Sequence, residues 1–326
     1  SEVEECIKSL KSKKAKDEFG LIAENLKYAG RNFLTFLTFI INKIVDDRKI
    51  PDVMKTAILH PIHKRDKSIN VSGHYRGISI TSIIYKVMDG LQLKHQEAAL
   101  DPRRCCNQFS FTKGRTPSQA TIVMSELMGE AKDLKKTLIT CSLDIEKAFD
   151  CVPHKHQLRK LWMSGLPGRW WELKEDSYSN MQTKVLWQGG VGEPYINHQG
   201  NRQGGKGSAA DFKEYTIEHL ETMKNRSIGS HIGPIYTGTL AAADDVILTS
   251  HSELEMKVQI ATIAELNNRD RLKIHPTKTS VNIFNVPTAE YEFLREARPW
   301  TINECQVPVS QTFTHLGVQW DIHHNM

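Results

Sequence analysis

The stretch Leu240–Ser250, Leu-Ala-Ala-Ala-Asp-Asp-Val-Ile-Leu-Thr-Ser, limits what this chain can fold into more than any other. Small and apolar residues run into two adjacent aspartates and leave again through Val246, Ile247 and Leu248. Both flanks have the composition and length of strands, so the acids fall where one strand turns into the next. On a straight strand Asp244 and Asp245 would point to opposite faces, whereas at a hairpin tip both can reach one site. Two neighbouring carboxylates repel, and a divalent cation with hard oxygen ligands, typically Mg²⁺, most readily stabilises them. Asp also bonds its own backbone and suits turns, so an acidic surface turn is the competing reading of the stretch taken alone.

A third acid changes that balance. Thr137-Leu-Ile-Thr-Cys-Ser-Leu-Asp144-Ile-Glu-Lys-Ala-Phe149-Asp150 reads as a strand ending in an acid and running into a helix stopped at Pro153. If the two strands lie side by side, Asp144, Asp244 and Asp245 converge at one sheet edge. Three carboxylates with substrate phosphates can hold two Mg²⁺ roughly 4 Å apart, an arrangement that activates an attacking hydroxyl and stabilises a leaving pyrophosphate. In-line nucleotidyl transfer needs little else from a protein than positioning and charge neutralisation. Glu146 shares a strand face with Asp144 and is read as facing solvent.

At 326 residues the chain is long for one compact domain, and two subdomains are expected. Hydrophobic residues at 39% and charged residues at 25% are ordinary for a soluble globular protein, with enough apolar material for a sizeable core. The net charge of +5 permits a polyanionic partner without requiring one. The cysteines at 6, 105, 106, 141, 151 and 305 include no Cys-x-x-Cys pair, so reduced thiols are expected. The most apolar run, Phe33 to Val45, is too short to span a bilayer and is read as a buried helix. A start at Ser1 is expected of a fragment or a domain of a longer polyprotein.

Gly20 to Asp47 has the pattern of one or two helices. Lys55–Lys67 and His74–Thr81 read as two strands carrying Lys64, Arg65, Lys67 and Arg76. Such a basic hairpin can hold a triphosphate, with Lys as a point charge and Arg forking across two oxygens, although lysines between strands are more often only solubilising. Ser82–Leu100 is helical in pattern, with Pro102 closing it. Gln108-Phe-Ser-Phe-Thr-Lys-Gly-Arg115 reads as a turn with a basic tip before a helix from Pro117 to Lys132. Arg202-Gln203-Gly204-Gly205 opens a helix over Ser208–Asn225. Ser252–Asn268 is amphipathic, with Leu254, Val258 and Ala261 at helical spacing. A strand follows Lys278, and Phe313–Val318 makes a last strand pair.

Taken together these motifs resemble the reverse transcriptase domain of non-LTR (LINE-type) retrotransposons. Ser142-Leu-Asp144-Ile-Glu-Lys-Ala-Phe149-Asp150 is similar to the family's first palm motif. Arg202-Gln203-Gly204-Gly205 is similar to its Gln-Gly motif, and Ala242-Ala243-Asp244-Asp245 to its aromatic-Ala-Asp-Asp box. Leu272–Thr279 and His315-Leu-Gly317 match later palm motifs. Pro61-Ile-His-Lys64, His74-Tyr-Arg76-Gly-Ile-Ser and Gln108-Phe-Ser-Phe resemble its finger motifs. The resemblance covers nearly the whole chain, in order.

That resemblance implies an α+β, right-hand polymerase fold of fingers and palm. Its antiparallel palm sheet would be backed by helices, with the thumb absent or truncated. A fingers-like region is expected over 1–125 and a palm over 126–326, with part of 151–200 returning to the fingers. The implied activity is RNA-directed DNA synthesis, extending a primer 3′-hydroxyl with dNTPs on an RNA template, with a DNA primer and two Mg²⁺ (Mn²⁺ as the substitute). Asp144, Asp244 and Asp245 would be the metal-binding catalytic carboxylates, and Lys278 the proton donor to pyrophosphate. Phe149 would lie against the nucleotide sugar and exclude a 2′-hydroxyl. Gln203 and Gly204 would line the nucleotide pocket, and Lys64 and Arg76 would grip the triphosphate. An intracellular, nuclear protein without a membrane segment is implied.

Departures point to a diverged or partly decayed copy. The family aromatic before Ala-Asp-Asp is Ala242 here, so the ring that places the primer end is missing. Gly77 replaces a usual Pro, and Ser110 a usual Gly. Asp211 and Lys213 replace residues expected on a packed helix face, where an unpaired charge would loosen the helix. The alternative function is therefore a catalytically impaired remnant that acts as a nucleic-acid-binding protein.

Overall fold

Helix starts follow the local sequence closely. Thr116 stands at the N-cap of the helix that Pro117 opens, and its amide donates to Gln119 Oε1 at 2.9 Å. Ser1 with Glu4 forms a capping box at the first helix, and the Ser252 side chain caps another. The structure, a computed structural model, describes residues 1–100, 105–296 and 299–322. Pro102 therefore lies outside the described residues.

In chain order the helices are α1 Glu2–Lys8, α2 Ala23–Lys27, α3 Arg31–Asp47, α4 Asp52–Lys55, α5 Ile83–Leu100 and α6 Pro117–Asp133. They continue as α7 His154–Met163, α8 Gly168–Tyr178, α9 Ser208–Arg226, α10 Glu253–Arg269 and α11 Thr288–Glu296. The strands are β1 Thr56–His63, β2 Tyr75–Thr81, β3 Leu138–Leu143, β4 Gln182–Trp187, β5 Gly190–Val191 and β6 Tyr195–Ile196. Then come β7 His231–Ile232, β8 Ile235–Tyr236, β9 Thr239–Ala242, β10 Asp245–Ser250 and β11 Ser280–Phe284. Short hairpins β12 Thr301–Ile302 with β13 Cys305–Gln306, and β14 Thr312–His315 with β15 Val318–Asp321, complete the α+β chain. No helix among the described residues is long and apolar enough to cross a membrane.

Two units divide the chain. Unit 1 comprises 1–103 and 152–215, and unit 2 comprises 104–151 and 216–326, so one boundary falls inside α9. In unit 1, β1 and β2 pair antiparallel while β4 joins β1 in parallel. Its core gathers Leu37 and Ile41 of α3, Val87 and Met88 of α5, and Leu161 and Leu173 of α7 and α8.

In unit 2 the order β11-β3-β10-β9 is antiparallel throughout. Strand alternation sends Ile139, Cys141, Val246 and Leu248 to one face, where α10 packs. Leu138, Leu240, Ile247 and Phe284 go to the other, against α6 and the Phe313–Trp320 pair. Both faces are covered, so the strands read as continuous apolar runs rather than alternating ones. Each fully buried aliphatic such as Ile247 contributes about 1.5–3 kcal/mol.

Four local expectations change. The helix expected after Asp144 is a series of turns up to Pro153, because Ile145 bridges Ile274 and the Glu146 amide bonds the Lys273 carbonyl. Tertiary pairing takes the backbone groups that a helix would have used. Helix α10 has the expected period but the opposite face: Leu254 and Val258 are exposed, while Met256, Ile260 and Ile263 are buried. The expected buried helix over Phe33–Val45 buries only one stripe, leaving Phe33, Phe36 and Phe39 in solvent. Finally, Asp211 is buried but not unpaired. Its carboxylate accepts from Lys174 at 3.0 Å, Tyr178 at 3.1 Å and Gln96 at 3.1 Å, which holds α9 in place instead of loosening it.

Candidate active site

The three acids come together through sheet register. Leu143 at the end of β3 pairs with Val246 of β10, so Asp144 and Asp245 sit at the same sheet edge. Ala242 pairs with Asp245 across the hairpin, leaving Ala243 and Asp244 as its two-residue loop. Ala243 has φ +65°, in the left-handed region, at the first loop position that a II′ turn normally gives to glycine.

The segment after α10 secures Asp144 from the other side. The Asp144 amide donates to Thr279 Oγ1 at 3.2 Å, and the His275 amide donates to the Asp144 carbonyl at 2.8 Å. Lys278 Nζ lies 3.3 Å from Asp144 Oδ2, with both side chains well exposed. Glu146 is half-exposed, its carboxylate 3.9 Å from the His275 ring.

Desolvation, then the negative charges of Asp244 and Asp144, push the Asp245 carboxyl above its ordinary value. Asp245 keeps much of its own area open to water, so the two like charges are the part of that shift a cation would answer. Among the described residues no group of three or more His, Cys, Asp or Glu side chains is gathered tightly enough to hold a metal. The acids thus feel one another electrostatically without forming a closed cage. A set made only of carboxylate oxygens, with mutual repulsion, suits a hard divalent cation rather than a soft one. Ala242, where the family has an aromatic residue, is 3% exposed within β9.

The remaining predicted residues divide between the units. Phe149 is half-buried in the turns after β3, in unit 2. In unit 1, Lys64 is exposed and donates to the Gly73 carbonyl of its own hairpin, while Arg76 is exposed opposite Ile62. The Gln203 carbonyl accepts from the Ser79 amide of β2 at 2.7 Å. Gly204 has φ +115°, and a Cβ there would stand 2.6 Å from the Ser79 carbonyl oxygen, so only glycine fits this approach.

Gly204 also lines a cavity of about 610 Å³ in unit 1, with Lys11, Lys14, Lys86, Lys206 and His60 around it. Burial pushes the Lys86 and Lys206 amines below their ordinary values. Sequence reading gives neither lysine a role in a site; the adjacency of Lys206 to Gln-Gly is the available signal. It also passes over Asn107 and gives Gln108 no individual role. Gln108-Phe-Ser-Phe, grouped by sequence with the N-terminal region, belongs to unit 2.

Three acids at one end of the unit 2 sheet and, within unit 1, a Gln-Gly turn against β2 are what the sequence leads one to expect of a nucleotidyl-transferring polymerase. The family model described as reverse transcriptase (RNA-dependent DNA polymerase) matches residues 62–320, most of the chain. The chain belongs to the reverse transcriptase family, on its LINE-type branch.

Among its relatives is the retrovirus-related Pol polyprotein from type-1 retrotransposable element R2 of Popillia japonica. That protein is 24% identical over 268 residues, 80% of this chain and 37% of the relative. The RNA-directed DNA polymerase from mobile element jockey of Drosophila funebris is 25% identical over 326 residues, 98% of this chain and 35% of the relative. The Pol polyprotein from type-2 element R2DM of Drosophila melanogaster is 24% identical over 76% of this chain and 23% of its own length. The chain therefore spans well under half of these relatives.

Proposed function

We propose that this chain carries out RNA-templated DNA synthesis, adding deoxynucleotides to a primer 3′-hydroxyl, with unit 1 serving as fingers and unit 2 as palm. The observation that supports this best is the β3–β10 register, which sets Asp144 beside Asp245 with Asp244 in the connecting turn. Asp144, Asp244 and Asp245 are the residues that would hold Mg²⁺. When bound, the metal would supply Lewis-acid stabilisation of the charge that develops on the phosphoryl and leaving oxygens.

The chain's own residues do the rest. Thr279 and His275 fix the Asp144 backbone. Lys278, 3.3 Å from Asp144, is assigned the proton delivery and, before substrate arrives, offsets part of the acid charge. Phe149 is assigned to the sugar of the incoming nucleotide. Lys64 and Arg76 are assigned to its phosphates on charge, and Gln203 and Gly204 to its pocket, supported by the tight turn against β2.

The test is primer extension on an RNA template with dNTPs and Mg²⁺, comparing wild type with Asp244→Ala. Incorporation by the first and none by the second is expected; equal incorporation by both overturns catalysis at this site. A second reading rests on Ala242, which leaves the acids without the family's aromatic neighbour. On that reading RNA is retained in a salt-dependent way while wild type incorporates nothing.

A further inference from the structure

The acidic turn does not hold itself. Its first loop residue, Ala243, sits at φ +65°, a conformation that costs a residue with a Cβ and that glycine adopts freely. Strand β9, which leads into the turn, has β10 on one edge. On its other edge lies the segment Asn107–Ser110, which pairs in parallel: the Phe109 amide donates to the Ala241 carbonyl at 2.8 Å, and the Ala241 amide to the Asn107 carbonyl at 2.9 Å.

Two side chains extend this pairing at both ends of β9. Asn107 Nδ2 donates to the Thr239 carbonyl at 2.7 Å and to the Tyr236 carbonyl at 3.2 Å, at the start of the strand. Gln108 Oε1 accepts from the Ala243 amide at 3.1 Å, at its end, and from the Ser110 amide at 3.1 Å. Gln108 is 1% exposed, so this oxygen has no water to exchange with and its geometry is fixed by the two amides.

We infer that Gln108 is a positioning residue for the acidic turn: by accepting the Ala243 amide it holds the loop in its left-handed conformation and so sets where Asp244 and Asp245 stand. This rests on the metal-site reading above. A buried acceptor aimed at the amide next to the acids acts as an outer-layer partner does in metal sites, where loss of such a partner costs roughly 10–100-fold in affinity. Asn107 fixes the other end of the strand, and Gln108 holds the end next to the acids. Both groups from which the Gln108 oxygen accepts are backbone amides, so its effect passes through the main chain.

The experiment is Mn²⁺ titration of the whole chain, followed by electron paramagnetic resonance. It compares wild type, Asp245→Asn, Gln108→Met and Gln108→Glu, each at a temperature where circular dichroism shows it folded. Gln108→Met keeps length and burial but removes the acceptor; Gln108→Glu keeps the acceptor and adds a charge, so recovery there is read only up to the wild-type affinity. The expected result is a loss of affinity of about tenfold or more in Gln108→Met, with recovery in Gln108→Glu. A residue that only stabilises the fold would lower the melting temperature without moving the Mn²⁺ affinity of the folded protein.

If Gln108→Met does not fold, Gln108→Asn replaces it, because one methylene less withdraws the oxygen from Ala243 while keeping a buried amide. Wild-type affinity in the acceptor-lacking variant, with binding lost in Asp245→Asn, overturns the positioning role and leaves the metal site standing. Equal binding by wild type and Asp245→Asn overturns the metal-site reading itself.

Discussion

Two acidic positions on this chain obey opposite rules. Asp211 of unit 1 is buried and meets Lys174, Tyr178 and Gln96, so every added charge finds an opposite charge or a donor. Asp245 of unit 2 has Asp244 and Asp144 as neighbours, and desolvation, then their charges, push its carboxyl up. An acid matched with cations is finished as a structural element. An acid packed with acids carries charge that a cation would offset, which makes it a candidate functional carboxylate. Asp144 stands between these cases, with Lys278 at 3.3 Å on one side and like charge on the other.

The largest effect is expected from Asp245→Asn, which removes one of the carboxylates proposed to bind metal. Nucleotide incorporation should fall on the order of 10³-fold or more, since a bound cation supplies several kcal/mol of charge stabilisation. Stability should move the other way. The folded-state pKa of Asp245 lies above its ordinary 3.8, so its ionisation opposes folding above the folded value. The melting temperature of Asp245→Asn should therefore exceed wild type at pH 7, and the gain should vanish as pH falls below 3.8, seen by calorimetry across pH.

The structural acid should give the reverse pattern. Lys174→Met leaves Asp211 buried without its cation and should cost about 3–5 kcal/mol in urea unfolding. Adding Asp211→Leu should restore most of that loss, because a buried pair replaced by apolar residues is often neutral. No recovery in the double variant would mean that the Asp211 network does more than balance charge.

Smaller effects sharpen the picture. Gly204→Ala places a Cβ against the Ser79 carbonyl at φ +115° and should destabilise by about 1–3 kcal/mol. Lys278→Met should change stability by less than about 1 kcal/mol, because the pair is exposed. The same variant should bind Mn²⁺ more tightly, since Asp144 no longer shares its charge.

Much of this was legible in the sequence, and the rest failed for identifiable reasons. Strand β10 and its acids were readable because Val246–Leu248 are apolar in succession and the two aspartates interrupt them. Asp144 was readable for the same reason at the end of β3. Their adjacency was not, since register between strands a hundred residues apart (244 − 144) is a tertiary property. The turns after Asp144 were missed because the helix pattern there is overridden by pairing with Lys273–His275. The face of α10 was misjudged because Leu254 and Val258 look apolar, while Gln259 and Asn267 are buried. Asp211 read as a defect because its partners, Lys174, Tyr178 and Gln96, are distant in sequence. Gln108 carried no local signal of its role, since the amide it serves belongs to Ala243.

The claim that the β3–β10 edge, and not any other acidic position, is built to hold a hard divalent cation is tested most directly by Mn²⁺ water-proton relaxation. Wild type, Asp245→Asn and Asp211→Asn would be titrated under conditions where all three are folded. Saturable binding retained by wild type and Asp211→Asn but lost in Asp245→Asn is the expected result. Binding that survives in Asp245→Asn and disappears in Asp211→Asn would contradict it.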